Sequence, residues 1–357
     1  MAKDNIVKNS IVIALFTIFL VLIFSIISIV NKTDRSLFKS SSSDTKNKGK
    51  IKIGFSLGTL KEERWIKDRD ILMAKARERG ADIIVQNANN DDQDQLKQVR
   101  YLLEQNIDIL IIVPNDLNKA ADAVALAKRY GIPVISYDRL VMDSNVDLYI
   151  TFDNVKVGEL MAKRITDSMT TGNILIVNGA KTDNNTKMIK QGYDKFLNPL
   201  AEEGKVKIIA EEWAADWLKE YAFKVVDDTL QGKTRIDAVI AGNDSLAEGV
   251  IEALSEYRMA GKVAVTGQDA DLTACQRIVE GTQLLTIYKP IEKLADAAVE
   301  MSIRLVKKEP LNVQDYISDG TYEVKYYVLT PIAVDKENID ETIIRDGFHL
   351  KDEVYRK

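Results

Sequence analysis

Seven short stretches of this chain carry side chains that could hold a ligand: Arg64-Trp65, Asp138-Arg139, Asp183-Asn184-Asn185, Trp217, Asn243, Asp269 and Lys289. Together they supply carboxylate acceptors, Arg, Lys and Asn donors, and flat indole faces. That inventory suits a neutral polyhydroxylated molecule, whose hydroxyls both donate and accept and whose C–H faces are apolar enough to lie against aromatic rings. Each residue also has a plainer role open to it. Trp65 could pack beneath its helix, and Arg64 could be a solvated helix charge. Asp138-Arg139 could be an ion pair, while Asn243, Asp244 and Asp269 could cap helices. Lys289, before Pro290, could be a loop charge, and Trp213 and Trp217, four apart, could share one helix face. What unites them is position, because each follows a short apolar run.

Ten such runs recur. They begin at Ile51, Ile83, Ile109, Val134, Leu148, Ile174, Val206, Ala238, Val263 and Leu284, as in Ile109-Leu-Ile-Ile-Val-Pro. Rich in Val and Ile and without alternation, they read as strands buried on both faces of a parallel sheet. Helical stripes lie between them: Leu96, Val99 and Leu103; Ala120, Ala123, Val124 and Ala127, with Gly131 just beyond; and Ala247, Val250, Ile251 and Leu254. Strand and helix in alternation imply right-handed βαβ units. Ten strands exceed one comfortable open sheet, and a division near Phe152 to Val157 gives two α/β lobes of five strands each. In such folds ligands sit beyond the carboxyl ends of the strands, where the polar groups stand.

Several chemistries are disfavoured. Of 357 residues, 46% are hydrophobic and the net charge is −5, with basic stretches short and interleaved with acids, so no nucleic-acid surface is expected. Cys275 is the only cysteine, in a helix-like stretch where a buried thiol is expected, and His349 is the only histidine. Disulfides, cysteine-based metal sites and Ser-His-Asp chemistry therefore drop out. Gly54-Phe-Ser-Leu-Gly58 lacks dinucleotide-binding spacing, and there is no Gly-x4-Gly-Lys-Ser/Thr. No cofactor and no enzymatic constellation is expected.

The amino terminus differs in kind. Ile11 to Val30 is twenty residues without charge or proline. As a helix it would span roughly 30 Å, a bilayer core. Val30 makes a poor cleavage site and no lipid-attachment cysteine follows, so the run reads as an uncleaved membrane anchor (residues 11–30). Lys3 and Lys8 face Lys32, Arg35 and Lys39 across it, and this leaves orientation unsettled. Residues 31–50, rich in Ser, Lys, Asp and Asn, read as a flexible stalk.

Longer motifs then stand out: Glu63-Arg-Trp-Ile-Lys-Asp-Arg-Asp70, Tyr137-Asp-Arg139, Phe152-Asp-Asn-Val-Lys-Val-Gly-Glu-Leu160, Val177 to Lys187, Gly267-Gln-Asp-Ala-Asp271, Gly281-Thr-Gln283, Tyr288-Lys-Pro290 and Ile344-Arg-Asp-Gly-Phe-His349. In these, from about Ile51 to Gly347, the chain resembles the bacterial type I periplasmic sugar-binding family, in particular its members for xylose. The resemblance implies a non-enzymatic receptor of two Rossmann-like lobes with parallel sheets, joined by a three-segment hinge near Asp153–Lys156, Ile287–Pro290 and Tyr327–Thr330. The amino-terminal lobe would be residues 51–153 and 290–326, the carboxyl-terminal lobe 154–289 and 327–349. Arg64, Asp138, Arg139, Asp183, Asn185, Asn243, Asp269 and Lys289 would hydrogen-bond D-xylose, with Trp65 and Trp217 as stacking walls. Family members are secreted free or lipid-attached, so the anchor sets this chain apart. It favours a sensor that docks on a membrane histidine kinase of a two-component system. The alternative is delivery of the sugar to an ABC permease. Repressors of the lactose-repressor type share the two lobes but need an amino-terminal helix-turn-helix, where this chain has an apolar run.

Overall fold

The computed structural model describes residues 49–356. The expected anchor at Ile11–Val30 and nearly all of the expected stalk lie outside the described residues. Among the described residues no helix is long and apolar enough to cross a membrane.

The apolar runs form two sheets. The first contains β1 (Lys52–Leu57), β2 (Asp82–Asn87), β3 (Ile109–Val113), β4 (Val134–Tyr137), β5 (Leu148–Phe152), β11 (Tyr316–Ser318) and β12 (Glu323–Leu329), in the order β11-β12-β5-β4-β3-β1-β2. The second contains β6 (Gly172–Asn178), β7 (Val206–Trp213), β8 (Ala238–Ala241), β9 (Ala264–Gln268), β10 (Leu285–Tyr288) and β13 (Ile332–Val334), in the order β13-β10-β9-β8-β6-β7. Pairing is parallel apart from β11 with β12 and β10 with β13. Central strands such as β3 are buried at every residue, which accounts for their unbroken apolar sequence.

Helices cover both faces of each sheet. Helices α1 (Glu63–Glu78) and α9 (Ile291–Lys307) pack on one face of the first sheet, α2 (Asp92–Glu104) and α3 (Ala121–Arg129) on the other. In the second lobe α4 (Asn154–Ser168) and α5 (Asn184–Glu202) cover one face, α6 (Lys219–Gln231) and α7 (Asp244–Glu256) the other. A smaller cluster joins α8 (Leu272–Glu280) to Ile339, Ile343 and the closing α10 (Lys351–Val354). Cys275 is buried in that cluster, as its helix-like setting suggests. Helices α4 and α5 approach backbone to backbone. A Cβ on Gly158 would stand 1.9 Å from the Ile189 carbonyl oxygen, and one on Gly192 would stand 2.0 Å from that of Val155.

Two expectations need correction. Each lobe has more than five strands, because β11, β12 and β13 add at the sheet edges. They are short or half-exposed, with Tyr316 and Ser318 facing solvent, and so lack the buried Val/Ile signature that marks the others. The chain passes between lobes at Asp153, at Lys289–Pro290, and between Leu329 and Ile332. The third passage thus follows residue 329 instead of 326, since Tyr327–Leu329 pair with Ile150–Phe152 of the first sheet. The first and third passages lie together, the Asp153 N–H donating to the Leu329 carbonyl at 2.9 Å.

Candidate functional site

The carboxyl ends of both sheets face one cavity. All ten residues singled out in the sequence line it: Arg64, Trp65, Asp138, Arg139, Asp183, Asn185, Trp217, Asn243, Asp269 and Lys289. Two more line it: Gln268, a strand-end group beside Asp269, and Glu62, which sequence reasoning missed. Gln268 ends β9 and obeys the same strand-end rule as its neighbour Asp269. Glu62 stands one residue before the start of α1, where nothing but its neighbours' chemistry marks it.

The cavity is built around buried charge. Arg64 is 3% exposed and spans three carboxylates: its Nε donates to Asp68 at 3.0 Å, Nη1 to Asp269 at 3.3 Å, and Nη2 to Asp138. Asp68 also accepts from the buried Tyr137 hydroxyl. Lys289, 2% exposed, stands 3.3 Å from Asp269, and Arg139 Nε stands 2.8 Å from Asp183. Asn185 donates from Nδ2 to both the carbonyl (3.1 Å) and the carboxylate (3.0 Å) of Asp138. Asp138 and Arg139 therefore do not pair with each other. Each faces an opposite charge from elsewhere, and Arg139 reaches into the second lobe. Burial disfavours the Asp138 carboxylate, but Arg64, Lys289 and Arg139 hold it ionised below its ordinary range. For Asp183 burial outweighs Arg139, and its carboxyl is pushed up. Asp68 is pushed up to about 6, burial again outweighing Arg64 and the Tyr137 hydrogen bond. Asp138, Asp183 and Asp269 each face an Arg or Lys within the cavity, which favours a neutral polar ligand over an ion.

The other plain readings resolve residue by residue. Trp65 belongs both to the core of the first lobe and to the cavity wall; the guanidinium carbons of Arg64 and Arg139 lie 4.6 and 5.0 Å from its ring centroid. Asn243 caps α7, its Oδ1 accepting the Leu246 N–H at 2.9 Å, and also lines the cavity. Asp269 is no cap; Asp271 precedes α8, and the Leu272 N–H there donates to Glu63 of the first lobe at 3.1 Å. Trp213 ends β7 while Trp217 sits in a short 3₁₀ turn, so they share no helix face. Lys289 is no loop charge but one of the most buried cations described.

Backbone strain gathers here. Asp138, Trp217 and Asp269 have φ of 61°, 54° and 95°, a region where side chains other than glycine are disfavoured by a kilocalorie or more. Asp138 is held by Tyr149 and Thr151, whose hydroxyls donate to its carbonyl at 2.9 and 2.7 Å. The Trp217 ring lies in a slot that two glycines leave open: a Cβ on Gly179 would fall 2.1 Å from the ring, one on Gly242 3.2 Å. Away from the cavity, the outer face of α1 grips the second lobe. Lys67 Nζ donates to the Phe348 carbonyl at 3.0 Å and lies 3.2 Å from His349 Nδ1. His349 Nε2 is 2.7 Å from the Ala270 carbonyl, which only accepts, so the proton sits on Nε2 and Nδ1 is left to accept.

With this geometry in view, a family model described as a periplasmic binding protein domain matches residues 53–310. The D-xylose-binding periplasmic protein of Haemophilus influenzae is 45% identical over 317 residues, 88% of this chain and 95% of that protein. That of Escherichia coli K12 is 41% identical over 305 residues, 85% and 92% respectively. Among solved structures, an ABC transporter solute-binding protein from Clostridium phytofermentans with bound β-D-glucose superposes with a TM-score of 0.79 at 28% identity, covering 85% of this chain and 99% of that one.

Proposed function

The chain belongs to the periplasmic binding protein family, and from that premise we propose that it is an extracytoplasmic receptor for D-xylose that delivers the sugar to an ABC permease. It is a binding protein, not an enzyme. The observation that carries the proposal is the cavity itself, where paired carboxylates, two guanidiniums, a buried ammonium and two indoles converge from both lobes. A pentose ring would lie against Trp65 and Trp217, with its hydroxyls toward Arg64, Asp138, Arg139, Asp183, Asn185, Asn243, Asp269 and Lys289. Two relatives above 40% identity carry xylose in their names, and this supports the choice among sugars.

Because the ligand would touch both lobes only when they are together, it shifts the open–closed equilibrium by its preference for the closed form. The three passages are the places where that rotation is absorbed, at residues 153, 289–290 and 330–331. Permease delivery replaces the kinase partner as the leading reading, since the Clostridium phytofermentans structure comes from an ABC transporter. The sensor remains a second reading on one observation, the uncharged run Ile11–Val30 with no lipid-attachment cysteine. As a membrane anchor it would keep the receptor beside one membrane partner. Cross-linking in cells with and without xylose separates the two. Recovery of permease subunits supports delivery, and recovery of a histidine kinase alone supports sensing.

A further inference from the structure

Most polar groups of the cavity already have partners in the protein, and those that do not mark where a ligand is awaited. Four described buried atoms without a hydrogen-bond partner belong to residues that line the cavity: Glu62 Oε2, Arg139 Nε, Trp217 Nε1 and Gln268 Oε1. Arg139 Nε is 2.8 Å from Asp183 but makes no aligned hydrogen bond to it. Two of the four are donors and two are acceptors, as a ring of hydroxyls requires. Glu62 stands out among them because it is a carboxyl. Asp138, Asp183 and Asp269 are each met by Arg or Lys, whereas no cation pairs with Glu62 within ion-pair distance among the described contacts. An unsatisfied buried carboxyl oxygen costs free energy that a hydroxyl donor would recover.

Glu62 has a second face. A further small cavity adjoins the first and shares Glu62, Arg139 and Trp217 with it. Its other walls are Thr59, Asn90 and Asn115 from the first lobe and Ala180, Thr182 and Asp216 from the second. Glu62, Arg139 and Trp217 thus stand where the two cavities meet.

Resting on the sugar-receptor reading above, we propose that Glu62 is a selectivity residue: it accepts a hydrogen bond from one sugar hydroxyl and, where the two cavities meet, excludes any substituent at that same position. Burial raises the Glu62 carboxyl above its ordinary range against the opposing pull of Arg139, which fits a group that waits for a donor. The proposal assigns both attraction and exclusion to one residue, so removing it must weaken binding of the parent sugar and relax a steric limit at once.

Calorimetry on the full chain tests this with wild type, Glu62→Gln and Glu62→Ala against D-xylose, its four monodeoxy analogues and its mono-O-methyl ethers. Glu62→Ala should weaken xylose about tenfold. For one deoxy analogue that loss should vanish, while the other three lose the full factor. The O-methyl ether at that same hydroxyl, rejected by wild type, should bind Glu62→Ala, its methyl entering the second chamber. Glu62→Gln, which keeps the bulk and one acceptor oxygen, should still reject it. Equal losses across all analogues would mean that Glu62 merely supports the fold or closure and would overturn the proposal, as would unchanged xylose affinity. Failure of wild type to bind any of these sugars would instead refute the receptor reading itself.

Discussion

Replacing Gly179 by alanine should cripple binding without unfolding the protein, because its missing Cβ is the space in which Trp217 lies. The added carbon would stand 2.1 Å from Cη2 and 2.3 Å from Cζ2 and Cζ3 of the indole. Carbon atoms rest about 3.5–4.0 Å apart, so the ring must shift by about 1.5 Å. Gly179 and Gly242 both lie against the ring, and Trp217 lines the cavity, so a displaced ring is expected to move toward it. If about a quarter of the roughly 200 Å² that an indole buries faces the sugar, the apolar contact contributes about 1.3 kcal/mol at 25 cal/mol per Å². Trp217→Ala should therefore weaken xylose about tenfold. Gly179→Ala should do at least as much, since the displaced ring also occupies ligand space. The two losses should not add: in the double variant no ring remains to be displaced, so its affinity should match Trp217→Ala alone. Calorimetry on the four proteins measures the cycle, and circular dichroism checks the fold. Normal affinity in Gly179→Ala, or losses that multiply in the double variant, would refute this account of the slot.

Lys67→Met should remove the grip of α1 on the Phe348 carbonyl and ring, contributions of about 1–2 kcal/mol together. Apparent affinity scales with the closed fraction, so every sugar should weaken by one common factor of up to about thirtyfold; a changed ratio between two sugars by calorimetry would contradict it. Burial and Lys67 hold His349 neutral, lowering its pKa from the ordinary 6.5 against the pull of Ala270, Glu63 and Glu353. The contribution of neutral His349 is present above 6.5 and lost as the pH falls through its lower folded value, where a proton on Nδ1 would face the Lys67 ammonium. Affinity should drop accordingly in acid, and His349→Gln should flatten that profile. Asp244 is pushed up to about 7, with burial outweighing Arg277. A carboxyl raised this way stabilises most when protonated in both states, and that contribution is lost as the pH rises toward and through about 7. Thermal melts should therefore fall over this range in wild type and fall less in Asp244→Asn; parallel profiles would contradict the assignment. Gly192→Ala, whose Cβ meets the Val155 carbonyl at 2.0 Å, should lower stability by about 1–3 kcal/mol in urea melts while leaving xylose affinity unchanged.

The sequence made the buried half of the fold readable and left the edges obscure. Strands such as Ile109–Val113 are enclosed on both faces, so apolar content alone marks them. Strands β11 and β12 add beyond β5, and β13 beyond β10; they are short or only partly buried, and their mixed composition resembles loop. The same distinction moved the last passage between lobes, because Tyr327–Leu329 belong to a partly buried strand whose partner is far away in sequence. Cavity-lining residues were legible where they follow an apolar run, as with Asp138, Asn243, Asp269 and Lys289. Their pairings were not. Arg64 and Asp269 are 205 positions apart, and only the fold reveals that one guanidinium serves three carboxylates. Glu62 was missed because its significance depends on two cavities meeting at its side chain, a property no local pattern encodes.

The central claim is that the cavity between the two sheets holds a neutral pentose through paired charges. Calorimetric titration of the full chain with D-xylose, D-ribose, L-arabinose and D-glucose tests it most directly, in wild type and in Asp138→Ala. Xylose should bind best, near micromolar (about −8 kcal/mol), and Asp138→Ala should lose at least tenfold. No binding of any of these sugars, or undiminished xylose affinity without Asp138, would contradict it.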